Sequence, residues 1–159
     1  MWKEHDDIVI KRASKKDISL ILQFRKFLFE ETGFLDDFYI ENIKEETTNF
    51  YIQQYSKNKM QHFIAYSSEG KAICVAGSLI KNDFPYLLFK PGFYGWIVDV
   101  YTLPEFRKRG LASRLLNLNI QWIKSKGANE IQLLAFSKEA IRIYRDAGFE
   151  DVNIMKLKI

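Results

Sequence analysis

Cysteine, histidine and long apolar runs are scarce in this sequence. Cys74 is its one cysteine, and only two histidines occur among 159 residues. A lone thiol excludes an internal disulfide and a site with several thiolate ligands, and two imidazoles argue against a histidine-rich metal site. No uncharged apolar run approaches the roughly 18 residues of a membrane-spanning helix, and the opening residues MWKEHDD lack the apolar segment of a secretory signal. We therefore expect a reduced, cytoplasmic protein without a metal or membrane association.

An excess of charge of one sign is also nearly absent. Lys and Arg number 24 against 20 Asp and Glu, which gives a net charge of +4. This balance suggests some affinity for anions, but it is too mild to indicate a nucleic-acid partner. At roughly 150 residues per domain, the length predicts one domain over residues 1–159.

Hydrophobic periodicity predicts ten elements in the order β-α-α-β-β-β-α-β-α-β. Ser14 and Asp17 have the spacing of a capping box at the start of the first helix, and Gly33 ends that helix. The order predicts a mixed α/β sheet layered with helices. The expected strands are 8–13, 62–67, 72–80, 93–101, 130–136 and 149–159, and the expected helices are 15–31, 36–56, 110–126 and 137–146.

Residues 97–116, IVDVYTLPEFRKRGLASRLL, are the segment that indicates chemistry. A strand and a proline-marked turn lead into three consecutive cations and a glycine, directly before a helix N-terminus. Free N–H groups in the first helical turn, together with the helix dipole, favour a bound phosphate. The alternative is a solvated basic turn that caps an ordinary helix. The candidate phosphate-binding residues are Arg107, Lys108, Arg109, Gly110, Leu111, Ala112 and Ser113.

Two motifs in this half of the chain resemble those of one family. LPEFRKRGLAS is similar to the Arg/Gln-x-x-Gly-x-Gly/Ala motif with which GNAT N-acetyltransferases bind acetyl-CoA. Downstream, AIRIYRDAGF is similar to the family's Ala-x-x-x-Tyr-x-x-x-Gly-Phe, and the interval leaves room for one helix and one strand. The resemblance in motifs covers about residues 93–150. Over residues 1–92, only the order of helices and strands is similar. It implies a GNAT-like acyl-CoA N-acyltransferase fold.

The resemblance also implies roles for particular residues. The Val100 N–H would bond the acetyl carbonyl, and Thr102 would pair with pantetheine amides. Backbone N–H groups from 108 to 112 and the Ser113 hydroxyl would hold the diphosphate. Tyr144 would protonate the leaving thiolate, a task that a positioned phenol can perform. Ser137 stands where the family often has an Asn that contacts pantetheine, and it equally suits the N-cap of the following helix.

A general base is harder to assign. Relatives often carry a Glu where this chain has Trp96 or Val98, which leaves Asp99 as the one carboxylate on the strand. Alternation places Asp99 on the face opposite Val98 and Val100, although a splay of the strand at the cofactor site would reorient it. A satisfied buried carboxylate is the alternative. Four further acids form either an acidic rim for a cationic amine or a solvated cluster that complements a helix dipole. They are Glu30, Glu31, Asp36 and Asp37.

Together these features predict an acetyl-CoA-dependent N-acetyltransferase. It would transfer the acetyl group directly to a primary amine of a small molecule or a protein. The alternative is a non-catalytic sensor that binds acetyl-CoA. The loop at 81–92 would form an apolar wall of the site or a contact in a homodimer.

Overall fold

The computed structural model describes residues 7–33, 43–85 and 91–159. Its strands are β1 (Val9–Arg12), β2 (Met60–Tyr66), β3 (Ala72–Asn82), β4 (Phe93–Thr102) and β5 (Ile131–Gln132). Its α-helices are α1 (Ile18–Thr32), α2 (Ile43–Ser56), α3 (Leu111–Ser125) and α4 (Lys138–Asp146). None of these helices is both long and apolar enough to cross a membrane.

The strands form one mixed sheet in the order β1-β2-β3-β4-β5. The first four strands are antiparallel neighbours, and β5 runs parallel to β4. The helices α1 and α2 pack with one face of the sheet, and α3 packs with the other. The predicted α/β architecture and the order of its first nine elements are confirmed.

Local signals account for the ends of α1. Ser14 and Asp17 form the predicted capping box around a 3-10 turn that leads into the helix. The Asp17 carboxylate accepts the Ser14 N–H at 2.7 Å. Gly33 follows the helix with a φ of 79°, a left-handed conformation that glycine adopts without a steric cost. The capping residues therefore set where this helix starts and stops.

The C-terminal strand predicted over 149–159 is wrong. No regular element follows α4, and the side chains of 150–159 are exposed. The segment alternates apolar and polar residues as a strand would, but it has no hydrogen-bonded neighbour in the described sheet. Strand β5 is also shorter than predicted, and a strand pattern without a paired edge does not form a strand by itself. The first part of the second predicted helix, 36–42, lies outside the described residues.

Candidate active site

The centre of the site is a β-bulge in β4. Val75 lies opposite Tyr101 and Gly77 lies opposite Val98, so the single residue between them on β3 faces both Asp99 and Val100. Asp99 has a φ of 57°, which is uncommon for a residue with a side chain. The extra residue breaks the alternation of faces. Asp99 therefore points to the α1 and α2 side, whereas Val100 packs on the α3 side.

Three donors surround the Asp99 carboxylate. Arg25 Nη1 donates to Oδ1 at 2.6 Å, and the Tyr51 hydroxyl donates to Oδ2 at 2.5 Å. His62 Nε2 lies 2.9 Å from the same Oδ2. Burial opposes ionisation of Asp99, but the hydrogen bond from His62, the charge of Arg25 and the bond from Tyr51 outweigh it. The pKa of Asp99 lies well below its usual range. These contacts favour the alternative of a satisfied buried carboxylate over a general base.

His62 links the Asp99 carboxylate to a further hydroxyl, that of Tyr55 on α2, and so extends this buried polar network. Its ring is buried and lies between the rings of Tyr51 and Tyr55, at centroid distances of 5.7 and 5.9 Å. Because an ionised carboxylate can only accept, Nε2 carries a proton toward Asp99. The other ring nitrogen, Nδ1, lies 2.8 Å from the Tyr55 hydroxyl. Gly77 makes room for the ring, since a Cβ there would lie 2.2 Å from His62 Cδ2.

Sequence reasoning did not predict this network. Its members come from two helices and two strands, and no single sequence motif connects them. The one local signal was the glycine at 77 inside a strand, which often marks the close approach of another group.

The strands β4 and β5 diverge beside the bulge. They pair only at Gly95 with Ile131 and at Trp96 with Gln132. From Ile97 to Thr102, β4 has no hydrogen-bonded neighbour on this side within the described ranges. Backbone groups of β4 are therefore free to bond a ligand that lies along the strand.

A cavity of about 540 Å³ occupies this divergence. Its wall includes Asp99 and Val100 from β4 and Tyr144 from α4. Ser137 also lines it while accepting the Ala140 N–H at 3.1 Å, so the N-cap role predicted for Ser137 is observed. Burial raises the pKa of Tyr144 to about 12, which keeps its hydroxyl protonated at neutral pH. The predicted acid and the predicted acetyl-binding strand therefore share one cavity.

The basic loop ends at an uncapped helix terminus. Gly110 is the N-cap of α3, with a φ of 73° and no side-chain capping bond. A Cβ at Gly110 would meet no atom within 4 Å, so the space above it is open. The Arg114 N–H bonds Gly110 O at 3.1 Å, the first bond of the helix, and the preceding N–H groups have no helical partner. Lys108 and Arg109 are exposed beside it. This arrangement fits a diphosphate.

Arg107 has a different role in the structure from a free phosphate ligand. Its two terminal nitrogens bond the Glu31 carboxylate at 2.7 and 2.6 Å, and its Nε bonds Thr102 O at 3.0 Å. The bond from Arg107 lowers the pKa of Glu31. The ion pair of Arg107 and Glu31 connects the start of the loop at 107–113 to the end of α1.

The four predicted rim acids are therefore not equivalent. Glu31 is engaged by Arg107, and Glu30 lies 3.7 Å from Lys26, one helical turn earlier. Asp36 and Asp37 lie outside the described residues.

The hydroxyl of Thr102 lies 3.1 Å from Cys74 Sγ. Neither Thr102 nor the loop at 107–113 lines the cavity. The residues expected to bind pantetheine and the diphosphate therefore lie on the surface next to it.

Comparison with known proteins decides the family. A family model described as the Acetyltransferase (GNAT) family matches residues 25–149, well over half of the chain. The chain belongs to the GNAT acetyltransferase family. The predicted resemblance is confirmed, and both quoted motifs fall within the matched residues or end at their boundary.

Relatives of this GNAT chain are N-acetyltransferases. An uncharacterised N-acetyltransferase of Methanocaldococcus jannaschii is 23% identical over 150 residues, which cover 92% of this chain and 62% of that protein. The chain thus spans less than two thirds of that relative. The thialysine N-epsilon-acetyltransferase of Bos taurus is 23% identical over 148 residues, covering 92% of this chain and 86% of that one.

A solved structure agrees with this placement. A protein of Clostridium acetobutylicum described as a predicted acetyltransferase, with acetyl-CoA in its crystal structure, superposes with a TM-score of 0.85 and 27% identity. The match covers 95% of this chain and 96% of that one. Acetyl transfer with acetyl-CoA as donor is the activity that the family and these similar proteins support. None of them supports the alternative of a non-catalytic sensor.

Proposed function

We propose that residues 1–159 act as one domain that transfers the acetyl group of acetyl-CoA directly to a primary amine. The observation that carries this proposal is the divergence of β4 and β5, which places Val100 and Tyr144 around one cavity beside unpaired strand backbone. Acetyl-CoA supplies the acetyl group as an activated thioester. The residues of this chain orient the acetyl group, stabilise the charge that develops on its oxygen and donate one proton to the leaving sulfur.

The uncapped start of α3 holds the diphosphate. The N–H groups from Lys108 to Ala112 and the Ser113 hydroxyl donate to its oxygens, and the exposed cations add attraction. Arg107 keeps this loop in place through its bonds to Glu31 and Thr102 O. The unpaired backbone edge of β4 bonds the pantetheine amides, to which Thr102 contributes its N–H because its carbonyl accepts from Arg107, and Ser137 lines the adjoining cavity.

Two groups act on the reacting atoms. The Val100 N–H donates to the acetyl oxygen, where negative charge develops as the amine attacks, and a fixed donor lowers that barrier. Tyr144 donates its phenolic proton to the sulfur as the carbon–sulfur bond breaks, and regains a proton from solvent. The amine nitrogen forms the new bond and loses one proton, so the products are an N-acetyl amine and coenzyme A with a free thiol.

Asp99 does not take the amine proton in this proposal. Its carboxylate is ionised, and three donors already occupy it. The acceptor therefore enters as the neutral amine, or passes its proton to water. We expect log kcat/KM to rise with pH toward the pKa of the acceptor amine, near 10.4 for a lysine-like amine. A pH profile with an enzyme pKa between 5 and 7 that disappears in Asp99→Asn would contradict this and return Asp99 to the role of base.

Two measurements test the proposal. Calorimetry should show binding when coenzyme A is titrated into the protein. Release of free thiol from acetyl-CoA should depend on an added primary amine. Binding without thiol release from any amine would favour the sensor. Absence of binding at millimolar coenzyme A would overturn the whole proposal.

We further propose a cytoplasmic homodimer. The exposed apolar side chains of the C-terminal segment, Val152, Ile154, Met155 and Leu157, support an association surface. Residues 86–90 of the loop predicted as a wall or contact lie outside the described residues. Light scattering after size-exclusion chromatography should give twice the mass of the chain, and the variant that lacks residues 152–159 should give the mass of a single chain.

Fractionation of cells that express the protein tests the proposed cytoplasmic location.

A further inference from the structure

One buried amide connects α3 to β3, the central strand of the sheet. Asn119 of α3 is fully buried, and so is Ser78 of β3. The Asn119 Nδ2 donates to Ala76 O at 3.1 Å and to Leu115 O, one helical turn earlier, at 2.8 Å. The Ser78 hydroxyl donates to the Asn119 Oδ1. Both polar atoms of the amide therefore have partners, and two of its three bonds run to β3.

The amide bonds β3 at the position opposite the bulge. Ala76 is the residue of β3 that lies across from both Asp99 and Val100. The helix follows its N-cap, Gly110, and Asn119 lies nine residues after that cap, about 14 Å along the axis at 1.5 Å per residue. The bonds of Asn119 therefore join a helix that starts at the diphosphate site to the strand position beside the acetyl site.

Apolar contacts also hold α3 on the sheet, but they do not define its position along the strands. Leu111 and Leu115 belong to one buried cluster with Ala76. Further along the helix, a Cβ at Gly95 would lie 2.4 Å from Ile123 Cγ2, so α3 approaches the sheet closely. Burial of apolar surface is non-directional, whereas a hydrogen bond weakens steeply when its distance or angle changes. The bonded amide therefore selects one position of α3 along β3.

We propose that Asn119, together with Ser78, is a positioning residue that sets the distance between the diphosphate site and the acetyl site. This inference rests on the proposed function, which puts the diphosphate at the start of α3 and the acetyl oxygen at the Val100 N–H. Acetyl-CoA spans both sites with one covalent chain. A shift of α3 along β3 therefore moves the thioester away from Val100 although each site by itself is intact. A misplacement of about 1 Å is enough to lower a rate by about 10²-fold.

A truncated donor distinguishes this positioning role from a general effect on stability. Acetyl-pantetheine carries the thioester and the pantetheine amides but no diphosphate, so it binds at the strand edge alone. The donor ratio, kcat/KM for acetyl-CoA divided by kcat/KM for acetyl-pantetheine, measures how well the two sites are aligned. A smaller folded fraction lowers both values equally and leaves the donor ratio unchanged. Thiol release with one primary amine as acceptor gives both values.

The double variant Asn119→Leu with Ser78→Ala removes the buried donor and acceptor together, which avoids leaving either side chain unpaired. It should lower kcat/KM for acetyl-CoA by about 10²-fold and change kcat/KM for acetyl-pantetheine by less than about twofold. Calorimetry should give the same Kd for ADP, which carries a diphosphate without pantetheine, as in the unaltered protein. Ser78→Ala alone keeps the bond of Asn119 to Ala76 O and should lower the donor ratio by a smaller factor.

Asn117→Leu is the matched control. Asn117 lies on the same helix, two residues before Asn119, and its side chain is exposed. The same substitution at this position should leave the donor ratio unchanged, because it removes no bond between α3 and β3.

An unchanged donor ratio in the double variant would overturn the positioning role, whether both kcat/KM values stay the same or fall together. The proposed function would stand in either case. If the double variant does not fold, Ser78→Ala alone decides, and an unchanged donor ratio in that variant would likewise overturn the role. Failure of the unaltered protein to bind coenzyme A would instead remove the proposed function itself, and this inference with it.

Discussion

Replacement of Asp99 by Asn tests whether this carboxylate is structural. The substitution keeps the shape of the side chain and removes its charge. Arg25, Tyr51 and His62 would lose their common anionic acceptor. An amide also presents two donor hydrogens, so at least one of them would face another donor. We expect a large loss of stability at neutral pH.

The structure sets the size of that loss. Removing one partner of a buried ion pair costs about 3–5 kcal/mol. The Asp99 side chain is fully buried, whereas 26% of the Arg25 side chain is exposed and can regain some hydration. The lower end of the range, about 3 kcal/mol, is therefore expected. For a chain of this size, each kcal/mol shifts the melting temperature by about 2–4 °C, so Tm should fall by roughly 6–12 °C.

Urea denaturation followed by circular dichroism measures the free energy of unfolding directly. Asp146→Asn, on the exposed end of α4, is the control and should change it by less than about 0.5 kcal/mol. The double variant Asp99→Asn with Arg25→Met should recover part of the loss, because it removes the uncompensated cation. An Asp99→Asn protein as stable as the control would refute the structural role.

The stability lost in Asp99→Asn depends on pH. The pKa of Asp99 is lowered by folding, so its ionisation stabilises the protein at pH values above its unfolded pKa, near 3.9. This contribution disappears as the pH falls from about 4 toward the folded pKa. The stability difference between the unaltered protein and Asp99→Asn should therefore shrink below about pH 4.

Three other substitutions test the site and its support. Tyr144→Phe should lower kcat by about 10²–10⁴-fold, the usual contribution of a general acid, and leave coenzyme A affinity nearly unchanged in calorimetry. Gly110→Glu should abolish coenzyme A binding, because its carboxylate repels the diphosphate and a side chain at a φ of 73° is strained. Gly77→Ala should destabilise the protein by about 1–3 kcal/mol in urea denaturation, because its Cβ would overlap the His62 ring.

Matched variants separate these effects from general damage. Gly70→Glu introduces the same side chain at a φ of 79°, also with nothing within 4 Å of its Cβ, and should leave coenzyme A affinity unchanged. Tyr66→Phe removes a hydroxyl outside the cavity and should leave kcat unchanged. Unaltered turnover in Tyr144→Phe would exclude it as the acid. Tight coenzyme A binding by Gly110→Glu would exclude the α3 terminus as the diphosphate site.

Local signals in the sequence predicted what depends on local contacts. The capping residues Ser14 and Gly33 fixed the limits of α1, and the motif around Gly110 placed the start of α3. The C-terminal segment shows the limit of this reasoning. Its alternation is that of a strand, but a strand exists only where another strand pairs with it, and the sequence does not state which edge is free.

The bulge at Asp99 was beyond prediction for a different reason. A left-handed backbone conformation is usually marked by glycine, and here an aspartate adopts it. What stabilises that conformation lies far away in the chain, in Arg25, Tyr51 and His62. Periodicity assigns faces by counting residues, so one extra residue in the strand makes every later assignment wrong until the register is known.

The bulge links the buried network to the chemistry proposed for Val100. A non-glycine residue in the left-handed region costs roughly 1–2 kcal/mol, and hydrogen bonds to a charged group contribute about 1.5–3 kcal/mol each. Three donors on Asp99 are therefore sufficient to hold the strand in its strained form. The bulge places one extra residue of β4 next to Val100, in the part of the strand that no longer pairs with β5. The one carboxylate on this strand thus supports the backbone geometry, and in the reaction that we propose the acceptor amine loses its proton to a group other than Asp99.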